Sequence, residues 1–346
     1  MGGSHDLSRR IHPVDTAVVG GCRLTGLRDV TDDPTVLDAP GRGRWAVVVP
    51  FDAPPVCARF DTSVPVSGPA PVGTSPVALG GWTSSLDRDG FAKGVRAVRE
   101  AIGNGDVYQV NLCRRLSAPL PHGFDILGLA GALAHGNPAP HAAAVRVRSA
   151  GVEVASASPE LFLRRRGEVV ETRPIKGTAA PGAAFLVKDR AENVMIVDLM
   201  RNDLGRVCQF GSVEVPDLCR EEHHPGLTHL VSTVRGRLRP GVGWADLLQA
   251  TFPPGSVTGA PKLAALDVVH RLEPVPRGVY CGAVGWVDTD SLAGDLNVAI
   301  RTFWVEDGLL HLGTGGGITW DSNPEDEWEE TELKARQLLA VAAGTP

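Results

Sequence analysis

One lysine stands out in the tract RPIKGT (173–178), because its neighbours mainly shape the backbone. Pro174 fixes one dihedral angle, Gly177 frees another, and the Thr178 hydroxyl can bond locally. Lys176 lies between them. A lysine in such a tract is either a solvated loop residue or an amine held where a reaction needs a nucleophile. The tract alone leaves both interpretations open.

Two predicted helices each carry a pair of carboxylates on one face. Asp189 and Glu192 are three residues apart, and Glu327, Glu330 and Lys334 follow at i, i+3 and i+7. If the two faces met, they would form an oxygen-rich site, and oxygen ligands without histidine or cysteine suit Mg²⁺. Solvated helix faces with ordinary charge pairs are the alternative.

Four other polar features have equally open interpretations. The tract PPGSVTGAPK (253–262) lacks the Gly-Lys-Ser/Thr ending of a phosphate loop and instead predicts a turn entering a helix. The glycine run at 313–317 allows either a close ligand or a bulge. Arg301 ends an apolar strand and is either a surface residue or a carboxylate clamp. His229 lies among apolar residues, as core histidines do.

Composition excludes several classes of protein. The chain has 346 residues, 43% hydrophobic and 21% charged, with a net charge of −6. That balance argues against a nucleic-acid-binding surface. The apolar runs are too short to span a membrane, and the first residues lack a signal-peptide core, so we expect a cytoplasmic protein. The six cysteines lack metal-site spacing, and we expect them to be reduced and buried.

Hydrophobic spacing predicts the elements that position these residues. Apolar residues recur at helical spacing over about 88–103, and alternation in VYQVNLCRRL predicts a strand with Gln109 and Asn111 opposite Tyr108. Helices are also predicted in FLVKDRAENVMIVDLMRND, after GAPK, and at the C-terminal end, where Ser322 or Asn323 caps and Pro324 begins the helix. Strand groups separated by helices favour an α+β protein.

Nine segments in the same order resemble the chorismate-utilising enzymes, from about Trp82 to the C-terminus. They are GDVYQVNL, SPELFL, RPIKGT, DRAENVMIVDLMRNDLGR, HLVSTV, PGSVTGAPK, RGVYCGAVGW, AIRTF and GGGITWDSNPEDEWEET. That family includes anthranilate, aminodeoxychorismate, isochorismate and salicylate synthases. Nine ordered segments are far more specific than any one of them.

The resemblance implies an α+β fold that is four-layered and sandwich-like, with two stacked antiparallel β-sheets and flanking helices. It implies a catalytic domain over 81–346 and a short β-rich segment over 1–80 that completes the sheet. Larger relatives have an amino-acid-binding pocket in their N-terminal part, and we find no counterpart of it here.

The resemblance also implies a set of site residues. Glu192 and Glu330, with Asp189 and Glu327, resemble a Mg²⁺ cluster that holds the ring carboxylate of chorismate. The enolpyruvyl carboxylate would lie near Tyr280, Arg301, Lys334 and the backbone at Gly315 and Gly317. The implied substrate-binding set further contains Gln109, Asn111, Thr178 and Ser256, and the implied catalytic set contains Lys176, Glu160 and His229.

Two positions distinguish members of the family. Enzymes that add water at ring C2 resemble one another in having a lysine where this chain has Gln109. Anthranilate synthases have a small residue at the position of Lys176, whereas aminodeoxychorismate synthases have lysine. The resemblance therefore implies amination of chorismate at C4 through a covalent Lys176 adduct, with Glu160 as the acid. It also implies a separate glutamine amidotransferase subunit, or free ammonium, as the ammonia source and a downstream lyase that releases 4-aminobenzoate.

Two alternatives stay open. The first is anthranilate synthase activity, in which pyruvate is also eliminated. The second is a non-catalytic chorismate-binding subunit that activates an amidotransferase.

Overall fold

The computed structural model describes residues 15–66, 73–179, 182, 184–185, 187–224 and 227–345. Helices in this part are α1 (Arg88–Gly103), α2 (Ile126–Gly136), α3 (Val187–Gly205), α4 (Trp244–Thr251), α5 (Lys262–Leu272) and α6 (Pro324–Ala342). Strands are β1 (Thr16–Val19), β2 (Cys22–Thr31), β3 (Arg44–Val49), β4 (Val56–Pro65), β5 (Thr83–Ser84), β6 (Gln109–Pro119), β7 (His141–Val147), β8 (Val152–Ser158), β9 (Leu161–Arg166), β10 (Val169–Arg173), β11 (Ile175–Ala179), β12 (Glu214–His224), β13 (Leu227–Arg237), β14 (Gly259–Ala260), β15 (Ala283–Asp288), β16 (Ala293–Val298), β17 (Thr302–Glu306) and β18 (Leu309–Ile318).

The strands form one continuous antiparallel hydrogen-bonded network. Its order is β5-β6-β18-β17-β8-β7-β1-β2-β4-β3-β15-β16-β9-β10-β13-β12, with β14 beside β6 and β11 beside β13. The network folds back on itself, since Asn297 on β16 donates to the carbonyl of His141 on β7 across 2.7 Å. The predicted α+β class with stacked antiparallel layers is confirmed. The two layers belong to a single network rather than to two separate sheets.

Strands β1 to β4 lie inside this network. Strand β1 pairs with β7, and β3 pairs with β15, so the early strands bridge the two layers. Val47, Val284 and Val298 of this region belong to the largest apolar cluster and are almost fully buried. The domain division at residue 80 stays a prediction.

Helices cover the outer faces and fix the strands that carry the polar residues. Helix α1 spans the residues that its spacing predicts, and the Asp87 side chain caps it by accepting from the Gly90 N–H at 2.7 Å. Helix α6 begins at Pro324, and Asn323 caps it. Helices α1 and α5 pack together over β6 and β18 in a separate apolar cluster. The helices that hydrophobic spacing and caps predicted are therefore confirmed.

Some expectations were wrong. The strand was predicted to include Tyr108, with Gln109 and Asn111 on its opposite face. Tyr108 is instead 70% exposed and precedes β6, and Gln109 is only 1% exposed because packing covers β6 on both faces. All six cysteines are free thiols as expected, but two are only partly buried: Cys22 is the first residue of β2, and Cys219 lies on β12, the last strand of the network. Among the described residues, no helix is long and apolar enough to cross a membrane.

Candidate active site

The glycine run of β18 lies against β6, and this is where the predicted site residues meet. Gly315 pairs with Cys113, and Gly317 pairs with Asn111. A Cβ atom added at Gly317 would lie 2.0 Å from Nε2 of Gln109 and 3.4 Å from Nζ of Lys176. Both polar side chains therefore reach this strand, and any side chain larger than glycine at 317 would displace that of Gln109. Close approach, rather than a bulge, explains the glycine at 317.

Lys176 on β11 is a partly buried cation near several carboxyl groups. At Glu160, Glu192 and Glu330, burial acts to raise the pKa and the positive charge of Lys176 acts to lower it. These carboxyl groups come from the connection between β8 and β9, from α3 and from α6. Electrostatic influence of this kind requires proximity. Lys176 is thus held in a polar pocket instead of being a solvated turn residue.

Glu160 lies between β8 and β9 and is 3% exposed. Burial raises its pKa to about 7, although the Ser256 hydroxyl, the Lys176 ammonium and the Ile175 backbone N–H all act to lower it. The carboxyl group therefore holds its proton to a much higher pH than a solvated glutamate does. That is the state that a general acid near pH 7 needs.

Three buried polar atoms around Lys176 have no hydrogen-bond partner of good geometry in the described part of the chain. They are Oε1 of Gln109, Oε1 of Glu160 and Oγ of Ser256. An unsatisfied buried polar atom costs about 1–3 kcal/mol, so a cluster of three indicates a place for a polar ligand. Asn111 differs, because its side-chain amide donates to Sγ of Cys113 at 3.1 Å.

The four predicted carboxylates of α3 and α6 come together. Burial raises the pKa of Glu192, and the negative charges of Asp189 and Glu330 raise it further. Burial and the charge of Glu330 likewise raise the pKa of Glu327, whose Oε1 accepts from the Ser322 hydroxyl at 2.6 Å. Carboxylates of the two helices are therefore close enough to influence one another, and their use as a single site stays a prediction.

Cations balance this acidic cluster. Burial alone would raise the pKa of Glu330, but the Lys334, Lys188 and Lys176 ammonium groups hold it below its ordinary value. Lys334 pairs with Glu330 at 2.6 Å and donates to the carbonyl of Gly315 at 2.9 Å. Among the described residues no three carboxylates, cysteines or histidines are already spaced to bind a metal. The available donors are all carboxylate oxygens, which is the ligand chemistry that Mg²⁺ prefers.

The remaining predicted residues surround this centre. Arg301 has a positive φ of 50°, and burial lowers the pKa of its guanidinium. Among the described residues, no carboxylate lies within ion-pair distance of it, which favours a clamp for a ligand carboxylate over a paired surface residue. The ring of Tyr280 packs against Gly313, where an added Cβ would lie 2.0 Å from the ring.

His229 and Thr178 face each other in the ladder between β13 and β11. His229 is 3% exposed, so it is a buried strand residue at the edge of the Lys176 tract. The side chain of Thr178 lies outside the described residues. Among the described residues, no side-chain hydrogen bond joins Arg301 to another predicted site residue.

Comparison with known proteins identifies the family. The family described as chorismate binding enzyme matches residues 66–340. This chain is a chorismate-binding enzyme. The match covers every predicted site residue, from Gln109 to Lys334.

Relatives of this chorismate-binding enzyme fall into two groups. Aminodeoxychorismate synthase component 1 of Salmonella typhimurium is 40% identical over 288 residues, 78% of this chain and 61% of the relative. Anthranilate synthase component 1 of Streptomyces coelicolor is also 40% identical, over 84% of this chain and 57% of the relative. The chain thus spans about three-fifths of the length of these relatives, and overall identity does not distinguish the two groups.

Solved structures show the same fold. The crystal structure of the "putative 2,3-dihydroxybenzoate-specific isochorismate synthase" DhbC from Bacillus anthracis matches with a TM-score of 0.80 and 23% identity over 96% of this chain and 97% of that chain. Anthranilate synthase component I from Streptococcus pneumoniae matches with a TM-score of 0.76 and 24% identity, over 98% and 95% of the two chains. The chorismate-binding enzyme fold therefore extends over nearly the whole molecule.

Two charged residues of this chorismate-binding enzyme were not predicted. Lys188 influences Glu192, Glu327 and Glu330, but in sequence it looks like one more charge on a polar helix. Arg277 is buried beside the site, and its only sequence signal is an arginine directly after a Pro-Val-Pro tract. Neither role can be identified without tertiary contacts.

Proposed function

We propose that this chorismate-binding enzyme replaces the C4 hydroxyl of chorismate with an amine, as an aminodeoxychorismate synthase component 1. The observation that carries the proposal is the position of Lys176 beside Gly317 and Gln109 and within electrostatic reach of Glu160. An amine and a buried carboxyl with a pKa of about 7 are the pair that a covalent displacement requires.

The residues divide the reaction into two displacements. In the first, neutral Nζ of Lys176 bonds to ring C2, the ring double bonds shift, and the C4 oxygen leaves as water with the proton of Glu160. In the second, ammonia bonds to C4, the double bonds shift back, and the C2–Nζ bond breaks, which regenerates the Lys176 amine. The new C4 ammonium then returns one proton to the Glu160 carboxylate. The balance is chorismate plus ammonia giving 4-amino-4-deoxychorismate plus water.

We propose that two groups of residues bind the two carboxylates of the substrate. Glu192 and Glu330, with Asp189 and Glu327, would hold Mg²⁺, which when bound supplies positive charge for the ring carboxylate. Tyr280, Arg301, Lys334 and the backbone at Gly315 and Gly317 would hold the enolpyruvyl carboxylate. Gln109, Asn111, Thr178, Ser256 and His229 would surround the ring.

The ammonia source and the fate of the product follow from the same chemistry. We propose that a separate glutamine amidotransferase subunit supplies ammonia and that free ammonium can replace it in vitro. The product keeps its enolpyruvyl group, so a lyase must act next to release 4-aminobenzoate.

Anthranilate synthase activity is the second candidate, because an anthranilate synthase component 1 is as similar in sequence as the aminodeoxychorismate synthases. The two are distinguished by incubating the purified protein with chorismate, Mg²⁺ and ammonium. Blue anthranilate fluorescence would support the second candidate. A product that an added aminodeoxychorismate lyase converts to 4-aminobenzoate supports the first.

A further inference from the structure

The guanidinium of Arg277 is buried next to the backbone segments that carry the candidate site. It lies between α5 and β15, and its side chain is 3% exposed. Nε donates to Oε2 of Glu273 at 2.8 Å, and Nη2 donates to Oε1 of Glu273 at 2.6 Å. The carboxylate of Glu273 is itself 6% exposed, so both charges are removed from water and depend on each other.

The other two bonds of the guanidinium reach backbone carbonyls of the candidate site. Nη1 donates to the carbonyl of Val257 at 2.8 Å, and Nη2 donates to the carbonyl of Asn111 at 2.7 Å. Val257 directly follows Ser256, and Asn111 is two residues from Gln109. One planar group thus holds the turn that carries Ser256 against the strand that carries Gln109.

Glu273 extends the connection to the glycine run. Its Oε1 also accepts from the backbone N–H of Cys113 at 2.9 Å, and Cys113 pairs with Gly315 in the ladder. The Arg277–Glu273 pair therefore connects three segments: the 255–257 turn, β6 and, through the ladder, β18.

Apart from the interaction of the Ser256 hydroxyl with the Glu160 carboxyl, hydrogen bonds give little support to the side chains that this pair positions. Oγ of Ser256 and Oε1 of Gln109 make no hydrogen bond of good geometry with the described residues. Their places are set by the backbone that carries them. Displacement of a reacting group by about 1 Å can cost roughly 100-fold in rate.

We propose that Arg277 is a positioning residue for chorismate turnover: its guanidinium sets the spacing between Ser256 and Gln109 without touching the substrate. The proposal rests on the proposed function only in taking chorismate as the substrate, whichever product is formed. A lysine at 277 would keep the charge but could not reproduce four bonds in one plane.

The test compares Arg277→Lys, Arg277→Ala and a matched control, Arg146→Lys. Arg146 is also buried and ion-paired, with Asp125 at 2.6 Å, but it lies on β7. Rates of chorismate consumption give kcat and KM, and thermal unfolding gives the folded fraction. We expect Arg277→Lys to lose about 10-fold to 100-fold in kcat while still folded. We expect Arg146→Lys to keep wild-type kcat and KM even if its Tm falls.

Chemical rescue distinguishes a role of Arg277 in positioning the site residues from a role in the stability of the fold alone. Added guanidinium, at concentrations well below those that unfold the protein, should raise kcat of Arg277→Ala, and methylammonium should not. Wild-type kcat in folded Arg277→Lys, or equal effects of the two additives on Arg277→Ala, would overturn the proposal. Formation of anthranilate by the wild-type protein would refute the proposed function alone, because the comparison of chorismate turnover would still stand.

Discussion

Replacing Glu160 with glutamine tests the buried carboxyl group independently of any assay of product. In the folded protein its pKa is about 7, against an ordinary value of 4.5, and burial is the main cause. A difference of about 2.5 units, at roughly 1.4 kcal/mol each, corresponds to about 3.5 kcal/mol. Because the folded state binds this proton more tightly than the unfolded state, stability falls as pH rises from about 4.5 to about 7 and is then constant.

This loss of stability with rising pH should be measurable by denaturant unfolding at two pH values. Glutamine keeps the shape and removes the titration, so the free energy of unfolding of Glu160→Gln relative to wild type should increase by about 2.5 kcal/mol between pH 5 and pH 8. Glu168→Gln is the control, because Glu168 is 67% exposed. Parallel pH dependences of wild type and Glu160→Gln would refute a raised pKa at this position.

The same group predicts how activity depends on pH. With ammonia held constant, kcat/KM of the wild type should fall as pH rises through about 7, because the acid form of Glu160 is lost. Glu160→Gln should be much slower at every pH and should lack this decrease. An unchanged decrease in the variant would assign it to another group.

Three further predictions concern the remaining parts of the site. Lys176→Ala should lose amination almost completely while keeping its Tm, measured by mass spectrometry of the product; a near-normal rate would exclude the nucleophile. Gly317→Ala should raise KM for chorismate about 10-fold or more, because its methyl group would lie 2.0 Å from Nε2 of Gln109. Gly80→Ala, where a methyl group meets nothing within 4 Å, is its control and should match wild type. Glu192→Gln should raise the Mg²⁺ concentration needed for half-maximal rate, and an unchanged Mg²⁺ titration would argue against its role as a ligand.

Local patterns predicted the helices and part of the site. In α1 and in α6, the capping residue lies only a few residues before the first apolar residue of the buried face. The position of each helix can therefore be predicted from the sequence alone. The carboxylate pairs at 189/192 and 327/330 were predicted to share helix faces for the same reason. That the two faces meet depends on packing of α3 and α6 around the sheet, which spacing cannot show.

The features that were missed depend on contacts between distant parts of the chain. Helix α2 (ILGLAGALAHG) is glycine-rich, and α4 is only eight residues long, so neither has a strong periodic signal. Tyr108 fits the alternation of β6, but the strand begins one residue later. Arg277 acquires its role from carbonyls 166 and 20 residues away in sequence.

Product analysis tests the central claim most directly. Purified protein would be incubated with chorismate, Mg²⁺ and excess ammonium, and the products would be separated by mass. The account predicts a product about one mass unit lighter than chorismate, formed by exchange of hydroxyl for amine and converted to 4-aminobenzoate by an added lyase. Anthranilate or isochorismate as the main product would contradict it and would leave Lys176 without the role of nucleophile.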